Sequence, residues 1–461
     1  MSVPAGIAAG HPATAAAGLE VLADGGTAAD AAVAAILASC VAETVMTGLA
    51  GGGHAVWWDA ERRAPETVDF FVTVPGLDAG GRAVEMVELE ILFGTAPVVY
   101  SVGVGSCGVP GVPAGCDALW RRWGRLPWPR LVEPALRLAR AGVVLPHAHA
   151  AVLAMIAPVL TMGDGAGIYA PEGRLLAGGE KLDQPGLVCA LELLRDEGAA
   201  SFYSGTVAGS LLGLVAERGG ILSAADLRAY RVEHGTPVVA GLAGLRVAAR
   251  RDLNGTIDTL GRLPTLAGAH PAERALAFAA ALAGVESGGD TTNLTVVDAA
   301  GNACVATTSL GVGSGDFLPG LDVHLNSMLG ESELLRGHLE PGGRMASMMA
   351  PCVAHDHGML VAAAGAAGGS RIRSALVQVL SGVLGEGLDA AEAVRRPRLH
   401  PVAPLLHAEP GFDEDALDAL EAAGYDVRRW ETRHHYFGGV SLVSARGAAG
   451  DPRRDGVALL L

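Results

Sequence analysis

The stretch GGDTTNLTVVD, residues 288–298, sets two threonines behind a pair of glycines and an aspartate. A threonine hydroxyl is a poor nucleophile unless a base lies beside it. Cutting the chain before Thr291 would supply one, because the residue's own α-amino group then sits one side chain from the oxygen. Gly288 and Gly289 give the backbone freedom to strain at the Asp290–Thr291 bond. Thr291 Oγ could then attack the Asp290 carbonyl, forming an ester that water cleaves. That chemistry calls for no metal and no cofactor. A Thr-Thr pair opening a strand is also ordinary β-propensity, so its meaning depends on what the rest of the chain brings to it.

Two local patterns bring polar groups to Thr291. TNLTVVD, the turn AAGN and ACVATTSL form a hairpin candidate. With the turn centred between Ala300 and Gly301, paired numbers sum to about 601. Thr291 then faces Leu310, with Ser309 and Thr308 one and two places away. Further on, MLVAAAGAAGGSRIRSALVQVLSGVL reads as strand, glycine turn and helix, with Ser370 as N-cap. The N–H groups around Gly368 and Gly369 would leave that helix N-terminus ready to hold an anion or a developing oxyanion.

Helices fill most of the region before these patterns. PATAAAGLEVLADGG has helical apolar spacing and a Gly-Gly stop, and TAADAAVAAILASCVAE is apolar all round, hence a buried helix. GLAGGGHAVWWD is a glycine turn feeding a strand that ends at Asp59. LPWPRLVEPALRLARAG and GTVAGSLLGLVAERGG are helices, and LSAADLRAYR is a short one capped by Ser223.

Composition narrows the class. The 461 residues carry a formal charge of −16, which argues against nucleic acid, since phosphate binding needs clustered Lys and Arg. Arg121-Arg122 and Arg250-Arg251 are short basic pairs, expected on solvated faces. The longest apolar run, Ala31 to Ala42, is too short to span a bilayer, and no secretory signal opens the chain; no membrane partner and a cytoplasmic location are therefore expected. Six scattered cysteines lack metal spacing and read as reduced core residues. His434-His435 reads as two neighbours pointing opposite ways on a strand, which argues against a shared metal there.

Read together, the motifs resemble the γ-glutamyltransferases (γ-glutamyltranspeptidases), a family of N-terminal nucleophile hydrolases. GHPATAAAGLEVLADGGTAADAAVAA followed by Glu43 and Gly51–Gly53, then CGVPGVPAGCDALWRRWGRLPWPRLVEPALRLARAG and FYSGTVAGSLLGLVAERGGILSAADLRAYR, are similar to its large subunit. DTTNLTVVDAAGNACVATTS and GAAGGSRIRSALVQVL are similar to its small subunit. The resemblance implies an α+β fold, a four-layer αββα sandwich forming one large domain. It also implies self-cleavage at Asp290–Thr291 into a large-subunit region 1–290 and a small-subunit region 291–461. Thr291 matches the nucleophile, Ser309 a hydroxyl supporting it, and Gly368 and Gly369 the oxyanion-hole pair. The partners implied are the two fragments of one chain and a small amide or γ-glutamyl substrate, with a homodimer left open.

The substrate clamp departs from the family. Phe71 stands where an arginine binds the substrate α-carboxylate, and Met348 replaces one of two serines while Ser347 remains. Gly311 takes the place of an asparagine, Met328 that of Gln or Glu, and Glu331 aligns with the usual acid. Losing the arginine removes a bidentate charge-assisted contact, so a less polar acyl group is expected unless Arg344 or His54 rebuilds the clamp. The stretch from Arg250 to Asp290 is also much shorter than the family's, which could open the cleft or disable processing. Three readings follow: hydrolysis or transfer of a γ-glutamyl or related acyl group; an acylase or amidase for a less polar one; and an uncleaved, inert binding protein.

Overall fold

The computed structural model describes residues 2–93, 96–283, 291–336 and 339–461. Asp290 and the glycines before it, the upstream half of the expected cut, lie outside the described residues.

Two large sheets stacked face to face carry the molecule. Their strands in the first part of the chain are β1 (Gly6–Ala9), β2 (Gly52–Asp59), β3 (Ala64–Phe70), β4 (Glu233–Gly235), β5 (Val238–Leu242) and β6 (Leu245–Ala249). The later ones are β7 (Thr292–Val297), β8 (Ala303–Ser309), β9 (Cys352–Asp356), β10 (Met359–Ala367), β11 (Gly439–Ser444), β12 (Gly447–Ala449) and β13 (Val457–Leu460). One sheet runs β13-β1-β7-β8-β2-β3-β4 and the other β12-β11-β10-β9-β6-β5. Each therefore mixes strands from both sides of Thr291, so neither half of the chain holds a whole sheet by itself.

Period-two alternation explains the stacking. Ala8, Val56, Trp58, Val297, Ala303 and Val305 of the first sheet pack against Ala248, Val353, Ala363 and Val443 of the second. Their neighbours Ile7, Ala55, Trp57, Val296 and Cys304 turn to the opposite face, under the helices. There α1 (Pro12–Ala23) and α2 (Ala28–Ala42) cover β1, β7 and β8, with α3 (Trp128–Ala141) outside α2. Every residue of α2 is buried, as its uniformly apolar sequence requires, and a Thr27–Asp30 capping box starts it. On the far side α4 (Pro271–Leu282), packed against the helix Glu414–Ala422, flanks α5 (Arg371–Leu380), which lies on β10 and β11 of the second sheet. Helix, sheet, sheet, helix is the four-layer αββα sandwich expected.

Several sequence expectations need correction. The β7–β8 register pairs Thr292 with Thr308 and Val297 with Ala303, so the numbers sum to 600 rather than 601. Gly301, at φ +84°, and the closure of Asp298 on Asn302 place the turn's centre on Ala300 itself. Arg250 is no solvated residue, because its guanidinium is buried and donates to the carbonyls of Ser347 (3.1 Å) and Met349 (3.2 Å). His434 and His435 sit at a turn before β11, not on a strand, with ring centroids 4.1 Å apart. Of the six cysteines, all free, Cys189 is exposed and the other five are buried. Among the described residues no single helix is long and apolar enough to cross a membrane.

Candidate active site

Thr291 lies immediately before β7, and the observed register carried one step further sets it opposite Ser309, not Leu310. Both residues have the parity of the inter-sheet face. Thr291 is 5 % exposed and Ser309 3 %. Ser309 Oγ accepts the Gly311 N–H at 2.9 Å, which pins the hydroxyl where the strand ends. Gly311 needs its positive φ of +71° at this bend, and a Cβ there would meet the Glu331 carboxylate at 2.2 Å.

From the other sheet, β10 ends at Ala367, and the Gly368 N–H donates to Thr291 Oγ at 2.7 Å. Gly368 has φ +122° and Gly369 φ +58°. These two left-handed residues turn the chain from β10 into α5, aiming backbone donors at the end of β7. The helix N-terminus adds its partial positive charge. Ser370 occupies the N-cap position but has helical dihedral angles and makes no side-chain cap bond. The glycine turn itself directs the first amide groups.

Thr291, Ser309 and Gly369 share a cavity with Phe71, Met328, Glu331, Ser347, Met348, Met349, Leu334 and Ile372. All the substrate-site residues expected from the sequence line it except Gly311, which stands behind Glu331. The free space is small, about 20 Å3, roughly room for one water molecule. Its walls are mostly hydrocarbon and thioether.

Phe71 is held from every side. Its N–H donates to Asp69 (2.9 Å), and its carbonyl accepts from Tyr230 Oη (2.8 Å) and from the Arg344 guanidinium. Its ring stacks on His54, with centroids 5.3 Å apart. Arg344 is thus committed behind Phe71, also stacking on Tyr230, donating to the Arg231 carbonyl and lying 3.4 Å from Asp69. His54 is fully buried and lies 3.4 Å from Asp69. Burial holds its ring well below the usual histidine range, and the charges of Arg250 and Arg344 push the same way, so it is neutral at pH 7. Neither residue lines the cavity, and both are engaged behind Phe71.

Two further groups meet the site without a local signal. Glu43, buried just after α2, accepts hydrogen bonds from Thr14 Oγ (2.7 Å) and from Thr292 Oγ. Its presence in a glycine-rich family motif was the only hint. Arg454, buried near the C-terminus, donates to the Thr291 carbonyl at 3.4 Å and packs on Met46. Its neighbours Asp451 and Arg453 belong to a buried ion network with Arg398 and Glu409, which anchors that turn. Nothing in the sequence of a basic C-terminal turn points 163 residues back to a strand start.

Two stacked antiparallel sheets between helical layers, with a threonine at the head of a central strand, define the fold of the N-terminal nucleophile hydrolases. The cephalosporin acylase of Bacillus halodurans superposes with a TM-score of 0.83 at 22 % identity, over 100 % of this chain and 96 % of that one. In sequence, the Acylase ACY 1 proenzyme of Pseudomonas sp. (strain V22) is 29 % identical over 91 % of this chain and 86 % of its own length. The glutathione hydrolase proenzyme of Bacillus subtilis (strain 168) is 24 % identical over 91 % and 84 %. The gamma-glutamyltranspeptidase family matches residues 14–256 and 266–461. The chain belongs to that family and is an enzyme.

Proposed function

We propose that the enzyme cleaves itself before Thr291 and then hydrolyses or transfers an amide-linked acyl group through an ester on Thr291 Oγ. The bond from the Gly368 N–H to Thr291 Oγ carries this reading. It joins a candidate nucleophile to a helix N-terminus whose donors suit the oxyanion of acyl transfer. Ser309 would steady the hydroxyl, and the α-amino group freed at Thr291 would take its proton. Regions 1–290 and 291–461 would stay together, since both sheets draw strands from each.

A second observation bears on the acyl group. Phe71, Met328, Met348, Met349, Leu334 and Ile372 dominate the cavity, while Glu331 is its acidic group. Burying an unpaired carboxylate there would cost about 2–5 kcal/mol, which favours an uncharged, less polar acyl group over a γ-glutamyl one. Relatives carry both names, acylase and glutathione hydrolase, so the choice between the two acyl groups rests on the cavity and on the assay below.

Gel electrophoresis of the purified protein tests the first reading. Bands of 290 and 171 residues are expected, and Thr291→Ala should leave one intact band and no activity. An intact wild-type band after long incubation would sink it. For the acyl group, chromophore release from an uncharged acyl anilide should exceed that from a γ-glutamyl anilide. The reverse order would sink the apolar preference alone.

A further inference from the structure

Acyl transfer on Thr291 gives no task to the buried charge of Arg454. This residue stands in the turn Pro452–Arg454 and is 2 % exposed. Its neighbour Arg453 points into the ion network with Glu409 and Asp451. Arg454 runs the other way, through a gap that two glycines leave for it. A Cβ on Gly439 would meet its Cδ at 2.5 Å, and one on Gly368 its Nη2 at 3.3 Å. Its Nη1 reaches the Thr291 carbonyl at 3.4 Å and Met46 Sδ at 3.3 Å.

The α-amino nitrogen that cleavage would free at Thr291 is three bonds from that carbonyl oxygen, which puts the guanidinium within roughly 7 Å of it. An amine beside a positive charge holds its own proton less tightly. Other charges surround the same strand start. Glu331 lies across the cavity, and Glu43 accepts from Thr292 and Thr14. Asp451 is taken by Arg398 and Arg453, and Asp455 turns away to accept the Ala148 N–H at 3.0 Å. On the positive side the N-terminus of α5 faces Thr291, and Arg371 lies over the Tyr436 ring. His11, just beyond β1, is neutral, since burial lowers it to about 4. At the turn before β11, with His435 against it, His434 is held below the usual histidine range by burial and then by the charge of Arg454.

Carboxylates nearby favour a protonated amine and positive charges oppose it, and Arg454 is the charge bonded to Thr291 itself. We propose that Arg454 tunes the general base of the reaction. It keeps the freed α-amino group of Thr291 unprotonated near neutral pH. The amine can then take the Oγ proton as Oγ bonds to the acyl carbon, and return it to the leaving amine as the amide bond breaks. This role rests on the reading that the chain is cut before Thr291. Arg454 acts through the amine and is a positioning residue, since it does not line the acyl cavity.

The pH dependence of kcat/KM on an uncharged acyl anilide tests this, with enzyme whose cleavage a gel has shown. Its acidic limb reports the base of the free enzyme. Arg454→Met should move that limb up by about one pH unit. Arg454→Lys, which keeps a positive charge, should leave it near the wild-type position. A merely structural role would lower activity at every pH and leave the limb in place. A limb that stays put in cleaved Arg454→Met, or that moves as far in Arg454→Lys, would overturn the proposal. Competitive labelling of the Thr291 amine in cleaved wild-type enzyme decides the matter even where the variants stay uncut. Titration below the ordinary α-amine range of about 7.7–8.0 is expected, and titration within or above it overturns the proposal. Wild-type protein that stays intact on the gel removes the self-cleavage reading and this role with it, whereas cleaved enzyme with an unmoved limb removes only the role of Arg454.

Discussion

Replacing Gly368 with alanine tests whether a backbone amide organises the nucleophile. At φ +122° an L-residue is strained, and the new Cβ would lie 3.0 Å from Gly438 Cα and 3.3 Å from Arg454 Nη2. The strain costs about 1–3 kcal/mol if the conformation is kept. Relaxing it means rotating the peptide that now donates to Thr291 Oγ at 2.7 Å. Loss of one such donor lowers turnover by about 10²–10³, or 2.7–4 kcal/mol. Global stability should hardly register the change. Unfolding entropy for 461 residues is about 1 kcal/mol/K, so a few kcal/mol moves the midpoint by about 1–3 °C. The assay pairs kcat on a chromogenic acyl anilide with a thermal melt and a gel for processing. Gly80→Asn serves as control, because its φ of +58° is a left-handed conformation that asparagine tolerates and nothing lies within 4 Å of an added Cβ. A Gly368→Ala enzyme with nearly wild-type kcat and normal processing would refute the role given to this amide.

Thr292→Val removes a hydroxyl that donates to buried Glu43. It should cost about 1–3 kcal/mol and lower the thermal midpoint by about 1–3 °C, and an unchanged melt would show that the buried Glu43 does not depend on this hydroxyl. Phe71→Ala removes a wall of the acyl cavity, so kcat/KM for an uncharged acyl anilide should fall about tenfold or more, as for a lost apolar contact of 1.5–3 kcal/mol. An equal loss on the γ-glutamyl anilide would mean Phe71 shapes the fold rather than the choice of substrate. Burial lowers His11 and His407 to about 4 and His324 to about 3, and also depresses His54. Each is neutral when folded, so the unfolded chain binds more protons below its ordinary pKa near 6.5. Their stabilising contribution is whole above that pH and declines as pH falls toward 4, by about 1.4 kcal/mol per unit per group. Melts at pH 7, 6 and 5 should therefore drop steadily, with a shallower slope in His54→Phe; a flat profile would contradict the burial argument.

Local patterns made much of the site legible. A helix stop at Gly25-Gly26, an all-apolar α2 and a strand-glycine-helix run around Gly368 each depend on residues a few places apart, where steric and capping rules act directly. Period and turn signals brought Ser309 near Thr291 but missed by one, because Asp298 closes on Asn302 around a three-residue turn centred on Ala300 rather than between Ala300 and Gly301. Ser370 was misjudged for a related reason, since the chain enters α5 through two left-handed glycines and already has helical angles at the cap.

Charge roles were beyond the sequence. Arg250, Arg344 and Arg454 look like any surface arginines in one dimension, yet burial against carbonyls and carboxylates from distant segments gives each a fixed task. The same holds for Glu43, which Thr292 reaches across 249 residues. By itself the sequence determined which residue could be the nucleophile and which two glycines could serve it, because that chemistry is written in residue type and short spacing. The tertiary structure alone decided that Arg344 and His54 stand behind Phe71 and leave the cavity beside Thr291 mostly apolar, because only the packing of β2, β3 and the 344–349 segment sets which side of a ring a charge can reach.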